Sequence, residues 1–161
     1  MRQFKNISNS PFTSDAAIIL EISSLFPDFD EPLQKLIAGM AGCSPFLHDL
    51  IKKEVTWITK ILKSGSSPEE TITNEVLQSS NISKSLRVAK ARISLWTALQ
   101  DLSGNWKLEE VSKCLSEFAD FSVKVALKYS IESLIADGQL SKLKNNSDAD
   151  KLGIFILAMG K

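Results

Sequence analysis

Any chemistry in this chain has to come from a small set of side chains. The only histidine, His48, lies among Phe46, Leu47 and Leu50 near a helix start. General acid or base work needs a carboxylate or nucleophile within hydrogen-bond reach, and no motif supplies one, so a structural or exposed role is the plainer reading. Asp28, Asp30 and Glu31 gather carboxylates that could suggest a metal. Their place immediately before Pro32 makes helix capping the better account. Cys43 and Cys114 are far apart and lack ligand spacing, so both read as small buried side chains of a reduced protein. No zinc, haem or nucleophilic-triad spacing is visible.

Two features remain. Lys84, Arg87, Lys90 and Arg92 form a basic cluster at the start of a long helical stretch. It could face nucleotide, phosphate or the acidic regions of a partner, although a solvated helix face is the commoner meaning of such a cluster. Gly160 and Lys161 pair a residue that permits close backbone approach with a cation. On its own a Gly-Lys dipeptide says little about phosphate. Trp57, Trp96 and Trp106 invite a stacking role; Trp96 sits on an apolar stripe and reads as core, and Trp106 reads as a plug at the junction of the two longest helices.

The chain that must position these residues has 161 of them, enough for one sizeable core. It is 43% hydrophobic and 24% charged, with 19 basic and 19 acidic side chains. A balanced charge gives no overall field toward nucleic acid or an anionic membrane, so neither is expected as a partner. The N-terminus has no apolar stretch long enough for a signal peptide or a membrane span, and the cytoplasm is the natural reading.

The periodicity predicts an all-α domain of five or six helices over residues 14–138, after an irregular arm over 1–13. Ser14 or Asp15 caps a first helix that Pro27 stops. Asp30 caps a second, ending near Gly42, and Ser44-Pro45 opens a third that runs to Gly65. Ser67 and Glu70 read as a capping box before a helix to about Gln78. Two long helices follow, Ile82 to Leu102 and Leu108 to about Ala136. The first carries a wide apolar face through Ala89, Ile93, Trp96 and Leu99. The second carries a stripe through Leu108, Val111, Leu115, Phe118, Ser122, Val125 and Tyr129. Residues 139–152 read as a polar loop. The run Gly153-Ile154-Phe155-Ile156-Leu157-Ala158 reads as a buried strand, within a last segment of 153–161. A lone strand cannot satisfy its own backbone groups, so its sheet should lie in sequence beyond the chain; otherwise its edge invites self-association.

Four stretches in order resemble the start of the glutamine synthetase adenylyltransferase/deadenylylase family. They are Gly42-Cys43-Ser44-Pro45-Phe46-Leu47; Leu86-Arg87-Val88-Ala89-Lys90-Ala91-Arg92 running into Leu99-Gln100-Asp101-Leu102-Ser103-Gly104; Trp106-Lys107-Leu108-Glu109-Glu110-Val111 with Phe118-Ala119-Asp120; and Gly153 to Lys161. Ala158 departs from members that carry Gly there. The resemblance covers about Gly42 to Lys161.

The resemblance implies a parent enzyme whose N-terminal nucleotidyltransferase unit removes AMP from a tyrosine of glutamine synthetase by phosphorolysis, while a C-terminal unit adds AMP from ATP. In that setting 153–161 would be the first strand and start of the nucleotidyltransferase core, and Gly160 and Lys161 would face nucleotide. Mg²⁺ and ATP or ADP are implied for the parent, with the metal-holding carboxylates expected after Lys161. Glutamine synthetase is the implied partner, and the PII signal protein would meet only parts of the family architecture outside this chain. This chain is therefore expected to be catalytically incomplete and architectural. The rival is a free-standing helical interaction module that is only accidentally similar.

Overall fold

The computed structural model describes Phe4, Ile7, residues 10–65 and 67–140, Gly153, Ile154, Ile156 and Leu157. Among these residues there are seven helices in chain order: α1 Ala16–Leu25, α2 Glu31–Cys43, α3 Pro45–Lys53, α4 Val55–Ser64, α5 Glu69–Leu77, α6 Ile82–Leu102 and α7 Leu108–Ala136. Local chemistry sets most of the starts. The Asp15 carboxylate accepts from the amides of Ala17 (2.9 Å) and Ile18 (3.3 Å), Asp30 from Leu33, Ser44 from Leu47 and Asn81 from Lys84. Each bond satisfies an amide that the helix itself leaves open. Gly65 closes α4 at φ +67°, a left-handed conformation that costs a glycine nothing.

α6 is the axis of the fold, packing against α7, α5, α2 and α3. Its Ala89, Ile93, Leu95, Trp96 and Leu99 are buried, so the wide apolar face is real. They meet Leu36, Ile37 and Met40 of α2, Ile51 of α3, Ile58 of α4 and Ile72 and Val76 of α5 in one core. α7 would be about 43 Å long and α6 about 31 Å at the usual helical rise, so α7 overhangs its partner by roughly 12 Å.

The structure corrects several expectations. The helix read from Ser44 to Gly65 is two, because Glu54 leaves the helical basin at φ −111°, ψ 21°. The carboxylate of Glu54 is held by Arg92 of α6, a contact between residues 38 apart that periodicity does not encode. The Ser67–Glu70 capping box does not form. Ser67 bonds the side chain of Glu69, and α5 starts from a buried Pro68 without a side-chain cap. The stripe on α7 holds only in part: Phe118 and Val125 pack on the core as expected, joined by Cys114 and Phe121, whereas Leu108 is 75% exposed and Leu115 and Tyr129 are exposed.

The strand over 153–161 is not supported. Gly153, Ile154, Ile156 and Leu157 carry no strand assignment, and Gly153 sits at φ +68°, outside the extended region. No partner strand exists among the described residues, and a strand exists only through the ladder that satisfies its amides and carbonyls. The rest of that segment lies outside the described residues.

The arm over 1–13 packs on the fold where it is described. α2 presents Gly39 and Gly42 to it, one helical turn apart. A Cβ on Gly39 would stand 1.8 Å from the Pro11 carbonyl oxygen, and one on Gly42 would stand 2.4 Å from Thr13 Oγ1. The two glycines therefore form a notch in which residues 11–13 lie.

Candidate functional site

The basic cluster is divided by the helix that carries it. Lys84, Arg87 and Lys90 recur every three residues on α6, which holds them on one exposed edge within about a third of the helix circumference. Arg92 turns the other way. Its Nε donates to Glu54 Oε2 at 2.9 Å and its Nη1 to Glu75 Oε2 at 2.7 Å, with the guanidinium 5.5 Å from the centre of the Trp57 ring. A planar fork between two carboxylates over an aromatic face is an arrangement that lysine could not reproduce. Arg92 thus braces the α3–α4 junction and α5 against α6, and the candidate surface reduces to Lys84, Arg87 and Lys90.

His48 has a partner that the sequence reading missed. Its Nε2 lies 2.7 Å from Glu21 Oε2, and Lys52 Nζ lies 2.7 Å from the other oxygen, Oε1. His48 and Lys52 are four residues apart on α3 and so share a face. That spacing was the one available signal, but the acid comes from α1. The hydrogen bond from Lys52, then that with His48, holds the Glu21 carboxyl below its ordinary value. The trio ties α1 to α3.

The remaining candidates have structural roles. Asp30 caps α2 as expected, whereas Asp28 pairs with Lys63 at 2.8 Å and is held below its usual range by that hydrogen bond. Trp96 is core, with its indole N–H donating to Glu69 Oε1 at 3.0 Å. Trp106 meets it edge-on at 6.4 Å and fills the α6–α7 junction, where its own amide donates to the Gln100 carbonyl. Cys114 is buried, and desolvation raises its thiol pKa; Cys43, expected to be buried, is exposed at the end of α2. Among the described residues no three of His, Cys, Asp or Glu converge as a metal site would need. No described helix is long and apolar enough to cross a membrane. Gly160 and Lys161 lie outside the described residues.

Such a fold and site define a helical module whose partly buried ion pairs brace helices against one another and whose exposed cations line one edge of α6. The chain belongs to the glutamate-ammonia ligase adenylyltransferase family, whose model matches residues 33–161. This overturns the reading of an accidental likeness. A bifunctional glutamine synthetase adenylyltransferase/adenylyl-removing enzyme of a Bradyrhizobium species is 29% identical over 136 residues, covering 80% of this chain and 14% of that protein. Its namesake in Rhodopseudomonas palustris is 27% identical over 160 residues, covering 94% of this chain and 16% of that protein. The Caulobacter vibrioides protein of the same name is 29% identical over 134 residues, covering 78% and 13%. The chain therefore spans about one-seventh of the length of the relatives it matches. No solved structure matches it significantly.

Proposed function

We propose that this chain is the helical domain that, in an adenylyl-transferring parent, packs beside a nucleotidyltransferase core and shapes the surface that receives glutamine synthetase. The observation that carries this reading is the family match across residues 33–161 on a fold built around α6, with Lys84, Arg87 and Lys90 exposed on its edge. Those three cations form an electropositive edge that meets an acidic region of the partner. Removal and addition of AMP, with Mg²⁺ and ATP or ADP, belong on this reading to the rest of the parent, with Gly160 and Lys161 leading into its nucleotide site. The metal-holding carboxylates lie outside this chain, so the chain by itself turns nothing over. It works in the cytoplasm.

The test is capture of purified glutamine synthetase, adenylylated and unmodified, on the immobilised chain, with ADP release by phosphorolysis assayed on the same samples. Binding without ADP is expected, weakened about tenfold by the double substitution Arg87→Glu and Lys90→Glu, since each reversal turns an attraction into a repulsion. Binding of neither form would remove the docking role. ADP release would show that the chemistry resides in carboxylates of this chain.

A further inference from the structure

A second surface has the opposite charge. Where the start of α5, the middle of α6 and the first turns of α7 meet, a cleft of about 630 Å³ opens to solvent. That lies within the range of clefts that hold ligands. Its floor is apolar and aromatic, made by Ile93, Trp106 and Phe118. Its walls carry the carboxylates Glu69, Glu70, Glu110 and Glu117 against a single ammonium, Lys113. Lys113 stands 3.8 Å from Glu117 and so offsets only part of this charge. Glu69 is occupied by Trp96 and Ser67, and Glu110 accepts from the Lys107 amide at 2.8 Å. Glu70 and Glu117 remain exposed on the rim, available to a visitor.

The chemistry of the lining selects among occupants. A nucleotide or phosphate would be repelled by the excess of carboxylates. A bare metal ion needs converging donors, and none of the required three converge among the described residues. An aromatic floor under an acidic rim suits a side chain with an apolar stem and a cationic head, because the stem covers the floor while the head reaches the carboxylates. Guanidinium fits best: it stacks on an indole face and bonds carboxylates two at a time. The cleft is also larger than one side chain, which leaves room for an apolar neighbour.

We propose that this cleft docks an arginine side chain presented, with an adjoining apolar residue, by a peptide segment of a protein partner. The assignment rests on the cleft's own charge and floor. It does not require that partner to be glutamine synthetase or the α6 edge to be a docking surface.

The probe is a blocked peptide, acetyl-Leu-Arg-Leu-Arg-amide, titrated into the full chain while the indole N–H signals of Trp57, Trp96 and Trp106 are followed by NMR. The Trp106 signal should shift saturably, and the Trp57 signal should stay in place. Replacing arginine by citrulline keeps shape and removes charge, and should weaken binding about fivefold or more; so should raising salt from low to several hundred millimolar. The double substitution Glu70→Gln and Glu117→Gln should weaken it comparably while leaving the unliganded indole spectrum unchanged, which shows that the fold is intact. An unmoved Trp106 signal at millimolar peptide, or equal binding of the citrulline peptide, would overturn the proposal. So would spermine competing as well as the peptide, since charge alone would then be what the cleft reads.

Discussion

Replacing Arg92 by methionine keeps a long apolar stem and removes the fork that joins Glu54 and Glu75 over Trp57. The magnitude follows from burial. The Glu54 side chain is only 15% exposed, that of Arg92 21% and that of Glu75 50%. Breaking a fully buried pair costs about 3–5 kcal/mol because a charge is left without a partner; an exposed pair is worth about 0.2–1 kcal/mol. Glu54 lies between these limits, so about 2 kcal/mol is assigned to its loss. The cation over Trp57 contributes about 0.5–1 kcal/mol more. The Glu75 contact adds little. The expected cost is roughly 2–3 kcal/mol, which for a domain of this length lowers the melting temperature by about 5–10 °C. Scanning calorimetry or urea denaturation reads it directly. The companion Glu54→Gln removes the orphaned charge, so the double variant should be less destabilised than the sum of the two single ones by about 1 kcal/mol. Melting of Arg92→Met within about 1 °C of the parent, or strict additivity in the double variant, would refute the claim that this network braces the α3–α4 junction.

Two other perturbations address different contacts. Gly39→Ala sets two effects against each other: alanine favours the helix by about 0.8–1 kcal/mol, yet its Cβ would sit 1.8 Å from Pro11 O. The backbone of the arm has to move, so little net change in melting is expected. Chymotryptic cleavage after Phe12 should rise about fivefold or more, and an unchanged cleavage rate would show that the arm is not seated on α2. Acidification probes Glu21, whose folded carboxyl is held below its ordinary 4.5 by Lys52 and His48. A depressed carboxyl contributes stability that is present above its unfolded value and lost as pH falls through the folded one. The parent should therefore lose more of its melting temperature between about pH 5 and pH 3 than Glu21→Gln does. Parallel acid limbs for the two proteins would discount the trio as a tie between α1 and α3.

The elements that could be read from the sequence share one property: their signals lie within a few residues of each other. Asp15, Asp30 and Ser44 bond amides no more than three positions away, and each helix start fell where its cap predicted. The wide face of α6 could be read because burial on several sides leaves apolar residues at both three- and four-residue steps. The expectations that failed concern side chains engaged at a distance. Glu70 read as the capping partner of Ser67, but Ser67 bonds Glu69 instead, whose other oxygen accepts from Trp96, 27 residues on. Arg92 looked like a fourth member of a basic face, but its partners stand 17 and 38 residues away, on α5 and at the α3–α4 junction. His48 looked partnerless because its acid lies 27 residues upstream on another helix. The acidic cleft was invisible for the same reason: Glu70 and Glu117 come from α5 and α7, and only the packing of both helices on α6 brings them to one rim. The same logic weighs on the last segment. An apolar run bounded by polar residues satisfies the local rule for a strand, but a strand exists only through its neighbour, and none is present among the described residues. Local patterning therefore specified most of the helices but not the break between α3 and α4, and the charged side chains acquired roles only through the topology that gathers the helices around α6.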